Sequence, residues 1–297
     1  MKRNTNLHGV IVMVHTPFNE DFSVDYEGMK SVVRSLCDDG VHGLMVCGTG
    51  GEFGSLTSDE RKKIAEIVIK EVGDRVPVIV HVGHSNMFEV HALAEHAQKT
   101  GAPAVMCLTP YLLTPTQEDL FQYYSAIAKR LMIDVMIYNN PGRTGTTVEA
   151  ATLIRLSKVE GVAYVKDSAR NLRHTSDVIQ GVGDNMVVLS GEADLFFPIL
   201  ALGGKGGITV PAMIAPRKSV EMYNAFMAGD LEGARKIHYQ LMELIQVLGS
   251  EGKVHSAMKA ALRMQGRPAG LMRPPIADVT ETCKNRLREV LTKLGAL

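Results

Sequence analysis

Lys166 is the residue whose chemistry is easiest to read from its neighbours. It follows the apolar run Val162-Ala163-Tyr164-Val165 and precedes Asp167. Burying an ammonium between apolar walls is costly, which favours the neutral amine. A neutral amine adds to a ketone and forms an imine, the opening step of covalent catalysis. The plainer reading is a structural lysine paired with a carboxylate such as Asp167. Tyr138 closes another apolar run, in Ile137-Tyr138-Asn139-Asn140-Pro141. A phenol beside the amine can carry protons through carbinolamine formation, dehydration and C–C bond making. Taken alone, Tyr138 also reads as a core tyrosine with its hydroxyl at a rim.

Gly48-Thr49-Gly50-Gly51-Glu52 exposes backbone N–H groups and the Thr49 hydroxyl, which suits a carboxylate; a tight turn is the alternative. Gly203-Gly204-Lys205-Gly206-Gly207 has the look of an anion loop. It precedes a strand rather than following one, so a helix-to-strand turn is expected there. His81 and His84 lack a third ligand in the sequence, and no metal site is expected.

These residues need a scaffold. Short apolar runs rich in valine and isoleucine recur along the chain: Gly9–Val14, His42–Cys47, Pro77–Val82, Ala102–Leu108, Asp134–Tyr138, Val162–Lys166, Met186–Leu189 and Gly207–Val210. Each is bounded by turn-forming residues, as strands buried on both faces are. Helical periodicity fills the gaps, over Asp25–Asp39, Ser58–Val72 with Ser58 as the expected N-cap, Asn86–Thr100 ending at Gly101, Gln117–Leu131, Thr147–Ser157, Ala169–Gln180, Ala193–Leu202 and Pro216–Ala228. The alternation predicts an α/β fold, a closed (β/α)8 TIM barrel, over an open doubly wound sheet. The turn after the first strand, His15-Thr16-Pro17-Phe18, has no glycine-rich nucleotide loop.

From Leu231 the strands stop. Leu231–Leu248, Lys253–Met264 and Val279–Leu294 read as helices, the last two joined by the Pro-rich link Arg267–Pro275. The expected division is a catalytic barrel over residues 1–229 and a C-terminal helical extension over 230–297, packed on the barrel or on a neighbour.

In such barrels catalytic groups sit where strands end. That rule selects Thr49, Gly50 and Gly51, then His81 to His84, Thr109 and Tyr111, Tyr138 to Arg143, Lys166 and Asp167, Gly191 and Glu192, and Ile208 to Val210 in the eighth strand.

Composition narrows the partners. Lysine plus arginine equals aspartate plus glutamate at 32 each, so neither nucleic acid nor an anionic membrane is an expected partner. The hydrophobic fraction of 45% allows a sizeable core. The cysteines Cys37, Cys47, Cys107 and Cys283 form no Cys-x-x-Cys pair, which fits a reducing, cytoplasmic setting. Met1 to Val14 lacks the long apolar stretch of a secretory signal, and no run approaches the length of a membrane span.

With these residues placed, the chain resembles the dihydrodipicolinate synthase / N-acetylneuraminate lyase family. The matching pieces are Thr16-Pro17-Phe18, Gly48-Thr49-Gly50-Gly51-Glu52-Phe53, Thr109-Pro110-Tyr111, Tyr138-Asn139-Asn140-Pro141, Val165-Lys166-Asp167 and Ser190-Gly191-Glu192, in family order and spacing. The resemblance implies a (β/α)8 barrel, usually a homotetramer, with Lys166 as the Schiff-base lysine and Tyr138 as general acid/base. It implies that Thr49 and the Gly50 backbone hold the carboxylate of a 2-oxo acid such as pyruvate, with Gly51, Tyr111, Gly191 and Ile208 lining the site. Arg143, in Pro141-Gly142-Arg143-Thr144-Gly145, resembles the arginine that binds the aldehyde's carboxylate in the synthases.

Two departures cut across that pattern. Gly50 stands where synthases carry a second hydroxyl residue, and Leu112 follows Tyr111 where they carry a second tyrosine. Ala193 replaces a sugar-binding aspartate of the sialic acid lyases. Gly50-Gly51-Glu52-Phe53 instead resembles members that cleave or dehydrate 2-oxo-3-deoxy sugar acids or deaminate hydroxypyrroline carboxylates. A metal-dependent aldolase and a non-catalytic 2-oxo acid binding protein are the readings from other classes.

Overall fold

The computed structural model describes residues 7–297. Residues 1–6, where the stretch expected to hold no secretory signal begins, lie outside the described residues. Eight parallel strands, in sequence order, close into a barrel. They are β1 (Gly9–Met13), β2 (Gly43–Val46), β3 (Val78–His81), β4 (Ala104–Leu108), β5 (Asp134–Asn139), β6 (Val162–Asp167), β7 (Val187–Ser190) and β8 (Gly206–Gly207). Every residue of β1 to β6 is buried, as expected of parallel strands covered on both faces.

The helices are α1 (Tyr26–Asp38), α2 (Ser58–Val72), α3 (Met87–Thr100), α4 (Gln117–Lys129), α5 (Pro141–Thr144), α6 (Ala150–Leu156), α7 (Leu172–Val182), α8 (Phe196–Ala201), α9 (Pro211–Ile214), α10 (Pro216–Met227), α11 (Leu231–Gly249), α12 (Val254–Met264) and α13 (Glu281–Lys293). The apolar stripe read from the sequence of α1 is the buried one: Met29, Val32, Val33 and Leu36.

Several boundaries differ from the sequence reading, each for a local reason. The eighth strand was expected over Gly207–Val210, but β8 ends at Gly207 and Val210 is already in helical conformation. Pro211 opens α9 with a fixed φ and no N–H to give a ladder. Ile208 still donates its N–H to the Ser190 carbonyl at 2.8 Å, so it continues the edge of the ladder without being part of a strand. The cap of α2 is Thr57, not Ser58. Its hydroxyl accepts from the Glu60 N–H while Glu60 Oε2 accepts from the Thr57 N–H, a reciprocal capping box. The helix expected over Ala169–Gln180 starts only at Leu172, because Asn171 caps it by accepting from the His174 N–H. The helices expected over Thr147–Ser157 and Ala193–Leu202 shorten to α6 and α8.

The residues fall into two compact units. One runs from Pro77 to Ile208, with residues 7–9 added, and holds β3 to β8 with α3 to α8. The other joins Val10–Val76 to Thr209–Leu297 and holds α1, α2 and α9 to α13 with most of β1 and all of β2. Within this second unit α10 and α13 pack against α11, and α12 against α13. Among the described residues no helix is long and apolar enough to cross a membrane.

Candidate active site

In the Pro77–Ile208 unit, β5 and β6 run side by side in register, with Tyr138 opposite Lys166 and Asn139 opposite Asp167. Side chains alternate faces along a strand. The alternation divides four polar residues into two pairs with different surroundings. On one face Lys166 and Tyr138 meet, with the Lys166 Nζ 4.0 Å from the centroid of the Tyr138 ring. Both are buried, at 2% and 4% exposure. An amine and a phenol are thus held together in a largely water-free setting, where a proton can pass between Tyr138, the nitrogen and a bound carbonyl.

On the other face Asn139 and Asp167 tie the strands to the outer helices. Asn139 Nδ2 donates to Asp167 Oδ1 at 2.9 Å, and the Thr175 hydroxyl of α7 donates to Asp167 Oδ2 at 2.7 Å. Asn139 Oδ1 accepts from the Val148 N–H at 3.0 Å. His174 Nε2 stands 3.9 Å from Asp167 Oδ1. Asp167 is therefore not the charge partner of Lys166: its carboxylate faces α7, and the Lys166 side chain faces Tyr138. The network fixes the backbone on which Tyr138 and Lys166 stand.

Tyr138 is held further by two neighbours. Asn140 Nδ2 donates to its hydroxyl at 2.8 Å. The Thr109 hydroxyl, fully buried at the end of β4, donates to the Tyr138 carbonyl at 3.2 Å and pairs with the Tyr124 hydroxyl at 3.2 Å. Burial raises the Tyr124 phenol well above its ordinary range, so it stays protonated and acts as an anchor. His81 meets the Tyr138 ring edge-on, with centroids 6.4 Å apart.

Gly191 follows β7 and donates its N–H to the Asp167 carbonyl at 2.8 Å. A Cβ placed on it would lie 3.1 Å from Lys166 Cε and 2.0 Å from Ser168 Oγ, so a side chain here would press on the lysine arm. Glu192, the next residue, is paired with Arg170. Burial raises its carboxyl above the usual range, and Arg170 opposes the shift. Ile208 is buried at 1% exposure. Tyr111 is half-buried beyond β4, Leu112 beside it is 89% exposed, and Arg143 is an exposed residue of α5.

Thr49, Gly50 and Gly51 belong to the other unit. They form a turn after β2 in which the Glu52 N–H donates to the Thr49 carbonyl at 3.1 Å and the Phe53 N–H to the Gly48 carbonyl at 3.3 Å. The Thr16 hydroxyl donates to the Gly51 carbonyl at 2.7 Å. The Gly50 N–H points at Met13 Sδ, 3.2 Å away, a weak acceptor. A Cβ on Gly50 would lie 2.3 Å from Met13 Cε, so the methionine occupies the space a second hydroxyl residue would need.

In the sequence Asn139 and Asn140 stand out as parts of a motif and of the strand-end range Tyr138 to Arg143, with no role of their own. Asn140's contact with the Tyr138 hydroxyl and the tie between Asn139 and Asp167 required coordinates, because they depend on the strand's pleat and on the start of α5. His174 and Thr175 were not singled out at all, since a histidine and a threonine at a helix start carry no chemical signal in sequence. Among the described residues no cluster of three or more His, Cys, Asp or Glu could hold a metal ion.

Comparison with known proteins now adds to this geometry. Residues 6–294 match the model of the dihydrodipicolinate synthetase family. The chain belongs to that family. A 4-hydroxy-tetrahydrodipicolinate synthase from Syntrophobacter fumaroxidans is 37% identical over 290 residues, covering 97% of this chain and 99% of the relative. The crystal structure of a dihydrodipicolinate synthase from Aquifex aeolicus superimposes with a TM-score of 0.93 at 34% identity, covering 98% of this chain and 99% of that one. A prophage protein of the same family from E. coli K12, solved in complex with pyruvate, gives a TM-score of 0.94 at 31% identity, covering 98% of this chain and all (100%) of that one. As a member of the dihydrodipicolinate synthetase family, this chain is a class I, Schiff-base enzyme of the lyase/synthase type acting on a small 2-oxo acid.

Proposed function

We propose that the chain condenses pyruvate with an aldehyde carrying a second carboxylate, the reaction that its resemblance to the synthases implies; its relatives carry the name 4-hydroxy-tetrahydrodipicolinate synthase. The observation that carries the reading is the buried Lys166–Tyr138 pair. The Lys166 nitrogen adds to the ketone carbon, and loss of water from the carbinolamine leaves a protonated imine. That imine draws electrons from the adjacent carbon, which loses a proton to give an enamine. The enamine carbon bonds to the aldehyde carbon, and the aldehyde oxygen takes up a proton. Water then adds to the imine carbon, and collapse of that carbinolamine to the ketone expels the protonated Lys166 nitrogen and regenerates the amine. Tyr138 moves the protons, helped by Thr49, and the Asn140 donor supports the phenolate that forms in between.

Thr49 with the Gly50 and Gly51 backbone receives the carboxylate of pyruvate in this reading, Gly191 and Ile208 line its methyl side, and Tyr111 and Arg143 meet the aldehyde. No metal or organic cofactor takes part. Residues 1–229 act as the catalytic barrel and 230–297 as its helical extension, in a cytoplasmic homotetramer.

Borohydride reduction with pyruvate present, followed by intact mass and peptide mapping, tests it. A pyruvyl adduct on Lys166 is expected. Failure to form an adduct with any 2-oxo acid in a broad panel overturns the assignment.

A second reading keeps the imine and changes the substrate to a 2-oxo-3-deoxy sugar acid or a hydroxypyrroline carboxylate. The observation that favours it is Met13, an apolar side chain filling the space beside Gly50. A substrate panel scored for pyruvate consumption or release separates the two.

A further inference from the structure

Beneath the Thr49–Gly51 turn lies an ion pair that the reaction scheme does not use. Lys259, on α12, and Glu52 are each 1% exposed at the side chain, with the Lys259 Nζ 2.6 Å from Glu52 Oε1. The same ammonium donates to the Leu271 carbonyl at 2.9 Å and sits 4.1 Å from the centroid of the Phe18 ring. Glu52 Oε2 accepts from the Arg273 N–H at 3.0 Å. Arg273 in turn is anchored by Glu60 and by the Phe22 and Ser55 carbonyls. A buried ion pair of this kind often stabilises a fold no more than an apolar pair of the same shape. Stability alone is then a poor reason to place one here.

The backbone supplies a better one. Glu52 sits at φ 59°, ψ 37°, the left-handed region that a side chain disfavours. Such a conformation persists where the surroundings over-determine it. In that conformation the Glu52 N–H closes the turn onto the Thr49 carbonyl. Both oxygens of Glu52 are held from α12 and from the Arg267–Pro275 link, while Thr16 holds the Gly51 carbonyl from the other side. Burial lowers the Lys259 ammonium to about 8, with Glu52 opposing the shift, which marks a charge kept in place by its partner.

We propose that the Glu52–Lys259 pair is a positioning device: it sets the left-handed turn that aims the Thr49, Gly50 and Gly51 backbone at the substrate carboxylate. This rests on the reading that the turn receives that carboxylate. Neither residue touches the reacting atoms, so the pair governs how well a 2-oxo acid is gripped, not how fast the imine reacts.

The test uses the full-length double variant Glu52→Gln, Lys259→Met, which removes both charges and keeps their volume. Steady-state kinetics and the pyruvate dependence of borohydride trapping on Lys166 are measured beside thermal unfolding. The expected result is a Tm near that of the parent, a KM and a half-saturation for trapping raised about tenfold, and a kcat little changed, the pattern of lost uniform binding. A half-saturation like the parent's, whether Tm falls or not, would leave the pair no part in positioning the turn and overturn the proposal. Should the double variant not fold, Glu52→Asp reads the same quantity: it keeps the charges and shortens the arm by one methylene. Raised half-saturation with unchanged kcat supports the device, and parental values overturn it. Absence of trapping in the parent itself would instead remove the underlying reading, and the inference with it.

Discussion

The Lys166 Nζ rests 4.0 Å from the centre of the Tyr138 ring, which sets the amine over the phenol. The contact belongs to the ring, while the proposed proton transfer belongs to the hydroxyl. The two contributions can therefore be separated by substitution.

Tyr138→Phe keeps the ring and removes the hydroxyl. Turnover is expected to fall by about 10²–10⁴-fold, the usual range for losing a positioned acid–base group. Lys166→Ala is expected to remove nearly all turnover and all borohydride-trapped adduct. Near-normal kcat in either variant would contradict the assigned role.

Asn140→Ala takes away the donor that lies 2.8 Å from the Tyr138 hydroxyl. One lost hydrogen bond to a charged intermediate corresponds to about 1.5–3 kcal/mol, so kcat should fall by roughly ten- to a hundredfold with KM almost unchanged. A change confined to KM would mean that Asn140 contacts substrate and not the tyrosine.

Asp167→Asn keeps the shape of the residue behind Lys166 but loses an acceptor for Thr175 or for Asn139. The loss should cost about 1–3 kcal/mol of stability, read by denaturant unfolding. Activity should drop only as far as the strands shift. An unchanged unfolding midpoint would show that the network on the outer face does not hold the strand pair.

Gly50→Ser restores the hydroxyl that synthases carry and meets Met13 Cε at 2.3 Å from the new Cβ, in a site where Met13 is 3% exposed. Alone it should cost about 1–3 kcal/mol through overpacking. Combined with Met13→Ala it should cost less than the sum of the single changes, by roughly 1 kcal/mol or more. Additivity of the two would show that Met13 does not fill the space.

His15 gives a pH dependence whose sign follows from its burial. It is fully buried, its Nε2 donates to the Pro268 carbonyl at 2.7 Å, and burial lowers its pKa from 6.5 to about 3, with the Pro268 bond opposing. The unfolded chain takes up this proton near 6.5 and the folded chain only near 3. Between those values the unfolded state holds more protons, so stability falls as pH drops. Over the step from pH 7 to pH 4 the loss from this group amounts to roughly 3 kcal/mol. His15→Gln should show that much less destabilisation over the same step. Equal acid sensitivity in parent and variant would remove the assignment.

Much of this protein is legible in one dimension. The valine- and isoleucine-rich runs announced the parallel strands because burial on both faces allows little else, and their spacing announced the barrel. Lys166 and Tyr138 could be named because a polar residue ending such a run is conspicuous, and their order among the other motifs carried the family. Tertiary structure decided the rest, since it depends on which face a side chain takes and what stands across from it. Only the register of β5 against β6 set Lys166 on Tyr138 and turned Asp167 away toward α7. Only packing put Met13 against Gly50, 37 positions away, and Lys259 of α12 against Glu52. Sequence periodicity specifies elements because it reflects local burial; it cannot specify partners, because contact between distant residues is fixed by how the elements close on one another.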